Sequence, residues 1–435
     1  MQCFRLSGGI PLLGTVKAAG SKNAALPLLA ASLLVEGKTL FRRVPALSDV
    51  ASMTRLLESL GAQTNEGGGE VLRATSGDIC ISMDGPSSAE ADYDLVRRMR
   101  GSICAMGPLL ARFGRARMPL PGGCVIGTRP VDLHLKGFAA LGADVTVDHG
   151  MMEVVAPPQG LKGVDMELIG PQGSTVLGTA NVMMAALGAS GCTRIRGAAK
   201  EPEVQAVGHY LNLCGAQISG LGSDILEIQG HPTLTGKEFT IPADRIEVGT
   251  LVLAAAITRG EVKILECLPH ELEALLTSLV ECGVPVSWTE DTISVARYGG
   301  NFSGIALTTA PYPGFPTDLQ AQWLVFATQC EGQTKVQEGI YPERFLHAAE
   351  LNRMGAEITV SHGTALVNGP RRLSGAPVMA SDLRASAALV LAGLAAEGET
   401  IIRRVYHLDR GYESMEKKLQ LLGAKVSRHD DDRPA

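Results

Sequence analysis

The chain has 435 residues, enough for roughly two to four domains, and its 45% apolar and 19% charged content is ordinary for a globular protein. A net charge of −6 supplies no basic field to hold a nucleic acid, and aromatic residues at 4% are too few for base-stacking platforms. Nine cysteines, at 3, 80, 104, 124, 192, 214, 267, 282 and 330, form no CxxC pair, which reads as reduced thiols in a cytoplasm rather than a disulfide frame or a zinc site.

In chain order the pattern opens with residues 24–35, the longest apolar run, interrupted by Pro27 and too short to cross a bilayer. No basic start followed by an apolar stretch and a cleavage site precedes it, so neither a leader nor membrane insertion is expected. A helical pattern closing on a small turn and a short strand then recurs as MTRLLESLGAQT, HLKGFAALGADVTV, VGHYLNLCGAQIS, LLTSLVECGVPVSW, AAELNRMGAEITV and MEKKLQLLGAKVS. Its marker glycines are Gly61, Gly142, Gly215, Gly283, Gly355 and Gly423, spaced 68 to 81 residues apart. Before each lies a second mark, an Ala-rich helix ending at Gly37, Gly114, Gly191, Gly260, Gly332 or Gly398, because glycine ends a helix cheaply with a left-handed residue. Each unit therefore predicts helix, strand, helix, strand, strand. The first helix, apolar around most of its circumference, should be buried; the second, amphipathic, should lie outside. Six units exceed one core at this length, which predicts two lobes of three units in an inside-out α/β arrangement.

A repeat holds the scaffold, so chemistry is expected where copies depart from it. The first helix of each unit starts at Ser21-Lys22-Asn23, at Arg97, Arg98 and Arg100, at Ser174-Thr175, at Asp244-Arg245, at Pro316-Thr317-Asp318 and at Asp382-Leu383-Arg384. Asp318, Asp382 and Ser174 read equally as helix caps or as ligand groups. Lys22, Arg100 and Arg384 do not read as caps: cations oppose the helix dipole there, and a bound anion would reverse that penalty. A small, strongly anionic ligand held by several basic side chains is the expectation.

Two further departures stand out. The segment 119–134, with Gly122, Gly123 and Gly127 around Cys124 and with Arg129 and Pro130 at its base, reads as a mobile loop carrying a reactive thiol whose pKa Arg129 lowers. Cys104, Cys192, Cys214 and Cys330 read instead as small buried hydrophobes. Arg344 and Arg410 each follow the strand after a buried helix, and read either as solvated loop residues or as further anion ligands.

The segments KAAGSKNAALPLLAASLL, YDLVRRMRGS, LPGGCVIGTRPVDLH, ADRIEVGT, APYPGFPTDLQAQ, ERFLHAAELNRMGA, SDLRASAALVLAG and YHLDRGYE, in this order, resemble the UDP-N-acetylglucosamine 1-carboxyvinyltransferases, over nearly the whole chain. The resemblance implies a two-lobed inside-out α/β barrel of six βαβαββ units, three per lobe. Lobe I would comprise residues 1–21 with 243–435, and lobe II residues 22–242 carrying the cysteine loop. It implies transfer of the enolpyruvyl group of phosphoenolpyruvate to the 3-hydroxyl of UDP-N-acetylglucosamine, with no cofactor and no metal. By the same resemblance Lys22, Asn23, Arg129 and Arg410 would hold phosphoenolpyruvate, and Arg344 and Arg384 would assist at its carboxylate. Cys124 would protonate the vinyl carbon and be the target of fosfomycin, and Asp318 would act as base at the sugar hydroxyl. Arg100, Arg129, Pro130, Val131, Asp132, Leu133, Asp318 and Ile340 would contact the UDP-sugar. Two departures qualify this. A lysine common in the family's first unit is Ser48 here, and the family's Lys-x-Ser-Val-Gly-Ala-Thr segment is replaced by a glycine-rich stretch at 170–179, where Ser174 and backbone N–H groups would have to substitute. The rival readings are enolpyruvyl transfer to another acceptor such as shikimate 3-phosphate, and a non-catalytic nucleotide-sugar sensor.

Overall fold

The computed structural model describes residues 2–64, 77–83, 88–121 and 131–430. Their packing divides them into two units, residues 2–19 with 243–430, and residues 20–242. Both are α/β with mixed sheets.

In the first unit the helices Arg245–Ile257, Gln320–Ala327 and Leu383–Ala395 pack on one another. Every residue of the first two is buried, as a helix apolar on all sides requires. The strand after each helix has a parallel partner on one side and an antiparallel one on the other. Glu261–Leu265 lies between Leu13–Lys17 and Thr292–Val295. Cys330–Gln337 pairs in parallel with Phe302–Ser303 and Leu307–Thr308, and antiparallel with Thr364–Gly369. Glu399–Arg403 lies between Pro377–Met379 and Gln2–Ser7. In this last sheet the N-terminal strand itself fills the place that a hairpin strand fills in the other two, and pairs onward with Lys425–Asp430.

The second unit repeats the plan. Its buried helices are Lys22–Ala31, Met106–Phe113 and Val176–Ala186. Lys38–Arg42 pairs in parallel with Glu238–Thr240 and antiparallel with Ile79–Ser82. Cys192–Arg196 does so with Asp165–Glu167 and Ile225–Gln229. Arg115–Pro119 pairs antiparallel with Met151–Val155 and meets Glu90 in one parallel bridge.

The glycines that mark the repeat earn their place by conformation. The six at the second turn hold φ from 86° to 120°, a region that L side chains rarely adopt. At the first turn Gly37, Gly114, Gly191, Gly332 and Gly398 also hold positive φ, but Gly260 does not; Arg259 takes the left-handed position at 51° instead. Gly260 is needed for room, because a Cβ there would stand 2.2 Å from the Leu12 carbonyl oxygen.

One expectation is corrected. Cys104, Cys214 and Cys330 are buried, but Cys192 is exposed. It opens the strand Cys192–Arg196, whose alternation puts Thr193 and Ile195 inside and Cys192, Arg194 and Arg196 on the solvent face. Among the described residues, no helix is long and apolar enough to cross a membrane.

Candidate active site

Three helix starts in the first unit carry an aspartate, and two of them cap. Asp244 accepts from the backbone N–H of Ile246 and Glu247 at 2.9 and 3.0 Å, and Asp382 from those of Arg384 and Ala385 at 2.9 and 3.1 Å. Asp318, in the turn Thr317–Leu319 that leads into Gln320–Ala327, has a different occupation. Its Oδ1 accepts from Arg344 Nη1 and its Oδ2 from Arg384 Nη2, both at 2.8 Å. The arginine side chains are 5% and 4% exposed, whereas Asp318 keeps 26%. Burial alone would push this carboxyl up, but the Arg384 and Arg344 guanidiniums outweigh it and hold it well below the usual carboxylate range.

The arginines are built in from beneath. Arg384 lies over the Tyr412 ring, 5.5 Å from its centroid. The Tyr412 hydroxyl meets Thr250 Oγ1 at 2.9 Å and accepts from Gln322 Nε2 at 3.0 Å, so one polar knot ties together helices Arg245–Ile257 and Gln320–Ala327 under the guanidinium. Arg344 Nε and Arg384 Nη1 are buried donors with no acceptor among the described residues. Buried donors of this kind call for an explanation, and an anionic ligand is one that fits. Beside them His347 is buried against Phe345 and pushed down to about 4, chiefly by burial, so it adds no charge at neutral pH. Ile340 is half-buried, and its N–H donates to Glu338 Oε1 at 2.9 Å. Arg410 ends the turn Val405–Arg410, also half-buried.

In the second unit Ser21 caps the helix Lys22–Ala31 by accepting from Ala24 N–H at 3.2 Å. Lys22 follows at the first helical position, where its ammonium opposes the dipole. The chain itself supplies an anion: Lys22 Nζ lies 2.7 Å from Asp49 Oδ2, with the two side chains 12% and 6% exposed. Asp49 stands in the first turn of Ser48–Ser59, next to Ser48. Asn23 is half-buried beside Lys22.

Of the three arginines near 100, Arg97 and Arg98 are exposed, and Arg97 pairs with Asp94 at 2.7 Å. Arg100 is half-buried at the start of the turn Arg100–Ala105. Burial, with the charge of Arg100, pushes His134 down to about 3. The neutral ring accepts at Nδ1 from Asn181 Nδ2 at 3.0 Å, and Asn181 also donates to the Ile103 carbonyl and accepts from Gly107 N–H at 2.8 and 2.7 Å. Val131, exposed Asp132 and half-buried Leu133 open the helix Asp132–Ala140. Leu133 packs on Gly170, where an added Cβ would lie 3.1 Å from its Cδ1. Gly170 belongs to a short hairpin, Ile169–Gly170 against Gly173–Ser174, so the start of that helix and the glycine-rich segment come together. Ser174 sits half-buried in the hairpin and Thr175 caps Val176–Ala186, accepting from Gly178 N–H at 3.2 Å. Cys124, Arg129 and Pro130 lie outside the described residues.

The structure thus joins Asp318, Arg344 and Arg384 directly. It adds partners that sequence reasoning passed over: Asp49 for Lys22, the His134–Asn181 pair near Arg100, and Tyr412 beneath Arg384. None carries a spacing signal, since each meets its partner only through the fold.

The family model for EPSP synthase (3-phosphoshikimate 1-carboxyvinyltransferase) matches residues 6–419. The UDP-N-acetylglucosamine 1-carboxyvinyltransferase of Methylacidiphilum infernorum (isolate V4) is 50% identical over 429 residues, 98% of this chain and 99% of that protein. The protein of the same name from Bdellovibrio bacteriovorus is 48% identical over 422 residues, 97% of this chain and 99% of that one. Among solved structures, the enolpyruvyl transferase NikO from Streptomyces tendae superposes with a TM-score of 0.86 at 23% identity, covering 98% of each chain. EPSP synthase from Acinetobacter baumannii superposes with a TM-score of 0.75 at 18% identity, covering 99% of this chain and all of that one, a likeness of fold.

Proposed function

The chain belongs to the EPSP synthase family of carboxyvinyl transferases, and from that premise we infer that it transfers the enolpyruvyl group of phosphoenolpyruvate to the 3-hydroxyl of UDP-N-acetylglucosamine, releasing phosphate. The observation that carries this reading is the Asp318 carboxylate clasped by two buried arginines, in a chain half identical, end to end, to an enzyme of that name. The reaction opens the synthesis of peptidoglycan, and the protein works in the cytoplasm.

The roles are those that the family resemblance implies, and they fit the chemistry. Phosphoenolpyruvate carries about three negative charges, so several cations must meet it, each charge-assisted hydrogen bond contributing about 1.5–3 kcal/mol. Lys22, Asn23, Arg129 and Arg410 take the donor, with Arg344 and Arg384 at its carboxylate. Asp318, ionised, receives the proton of the sugar hydroxyl as that oxygen bonds to the central carbon of the donor. Cys124 gives a proton to the vinyl carbon, forming a tetrahedral ketal. A proton of the new methyl group then returns to the Cys124 thiolate as phosphate leaves with the proton held on Asp318, which restores the double bond. An acid and a base each supply roughly 10²–10⁴-fold. Arg100, Arg129, Pro130, Val131, Asp132, Leu133, Ser174, Asp318 and Ile340 contact the UDP-sugar. The recurring sheet plan supports an inside-out α/β barrel of six βαβαββ units, three per lobe, with lobes at 1–21 plus 243–435 and at 22–242.

Phosphate release tests the function. With phosphoenolpyruvate and UDP-N-acetylglucosamine, release is expected, and phosphoenolpyruvate with shikimate 3-phosphate in place of the sugar nucleotide should give none. Release with shikimate 3-phosphate alone would move the acceptor, and no release with either would leave the sensor reading. Fosfomycin is expected to add to Cys124; mass spectrometry placing the adduct on another thiol would remove its assignment as acid.

A further inference from the structure

Glu338 is a buried carboxylate, 3% exposed, at the end of the strand Cys330–Gln337, and no ion pair to it is formed among the described residues. Its acceptor sites are filled by four donors from three segments. Oε1 takes the Thr309 hydroxyl at 2.6 Å and the backbone N–H groups of Ile340 and Tyr341 at 2.9 and 3.0 Å. Oε2 takes the Thr317 hydroxyl at 3.0 Å. Thr317 is the residue before Asp318, and its oxygen in turn accepts from Arg344 Nη1 at 3.0 Å. That same nitrogen donates to Asp318 Oδ1 at 2.8 Å.

Arg344 is therefore held at both ends by one carboxylate. Its backbone N–H donates to the Tyr341 carbonyl at 2.9 Å, so the turn that Oε1 gathers sets where its chain begins. Its guanidinium rests on the hydroxyl that Oε2 orients. The Oε1 arm also fixes the backbone of Ile340. Four buried donors on one carboxylate are costly to assemble unless the geometry they fix is worth holding.

We propose that Glu338 is a positioning residue for the reaction: it sets the Arg344–Asp318 pair through Thr317 and the Ile340 segment through the turn at 339–341. This rests on the functional reading above, in which Arg344 meets the donor and Ile340 the sugar. The two arms are separable. Glu338→Gln keeps an acceptor oxygen for the turn but places an amide N–H against Thr317, which then has no acceptor for its hydroxyl proton. Thr317→Val removes the same link from the other side.

The test is steady-state phosphate release on the full chain, with both KM values and with folding followed by circular dichroism and Tm. Glu338→Gln and Thr317→Val should each lower kcat/KM for phosphoenolpyruvate about 10-fold or more, leave KM for UDP-N-acetylglucosamine unchanged, and combine without adding, because both cut one link. Glu338→Ala should lose about 100-fold, as a misplacement near 1 Å costs, and raise KM for the sugar nucleotide as well. Parental kinetics in folded Glu338→Gln, or losses that add in the double variant, would overturn the proposal. If Glu338→Ala does not fold, the Gln and Val variants decide alone. Failure of the unsubstituted protein to turn over would sink the functional reading and this inference with it; a working parent beside unaffected variants sinks only this one.

Discussion

The two units place charge at their helix starts in opposite ways. In the first, a partly exposed carboxylate faces two buried arginines, and the arginines keep N–H groups that no described residue accepts. In the second, the lysine at the helix start has its own buried aspartate, and the histidine near Arg100 is kept neutral within a closed amide network. The same repeat thus supplies one unit with a cationic cluster held ready by a carboxylate, and the other with groups fixed in place by local partners. The contrast is sharpest within the first unit. Asp244, Asp318 and Asp382 stand at equivalent helix starts, yet only Asp318 leaves its helix uncapped by a side chain and turns to the arginines.

That contrast can be broken by substitution. Asp318→Asn should produce the largest effect, a fall in kcat of about 10²–10⁴-fold. It should also cost about 1–3 kcal/mol of stability, because buried guanidiniums lose a charged acceptor; urea unfolding that shows no loss would contradict the pairing. Lys22→Met should lower kcat/KM for phosphoenolpyruvate about 10- to 100-fold, as the loss of one charge-assisted contact requires, and Asp49→Asn should lower it less, since the ammonium remains. Unchanged kinetics in Lys22→Met would make the Lys22–Asp49 pair purely structural. Asn181→Ala should destabilise by about 2 kcal/mol, through the buried Gly107 N–H and Ile103 carbonyl it strands, with kcat falling less than about tenfold, short of the smallest loss expected of a catalytic group. Asp244→Ala should show the smallest effect, a cap loss of about 1 kcal/mol with turnover retained. A loss of turnover matching that of Asp318→Asn would erase the distinction between the two aspartates.

Much of the fold was legible because its repeat is written in glycines, and those glycines are forced by backbone geometry. Five of the six first-turn positions follow the left-handed rule, and the sixth, Gly260, keeps its glycine for the separate reason of the approach of Leu12. The basic residues were legible too, because Lys22 and Arg384 sit where the helix dipole disfavours them. What each aspartate does was not. An aspartate that caps and one that turns to arginines have the same local sequence, and only the arrival of Arg344, 26 residues on, and Arg384, 66 residues on, separates Asp318 from its equivalents. Glu338 was hidden for the same reason: its partner Thr309 is 29 residues away, and nothing in the intervening chain marks the pair. Cys192 was misread because thiol burial was judged by residue type, while strand alternation decided it.

The sign of the pH dependence follows from the depressed Asp318 carboxyl. A group whose folded pKa lies below its unfolded value of about 3.9 stabilises the protein above that value, and the contribution disappears as pH falls through the folded pKa. The stability gap between the parent and Asp318→Asn should therefore be full from neutral pH down to about pH 5 and should close only below about pH 4. The most direct measurement is the titration of the Asp318 carboxyl itself, by carbon-detected NMR on the ligand-free protein, beside Arg344→Ala. The carboxyl should titrate below the ordinary Asp value of about 3.9 in the parent, and should titrate higher once Arg344 is gone. A parent midpoint at or above about 4, or no shift in Arg344→Ala, would contradict the claim that the two arginines hold this carboxyl in its charged form.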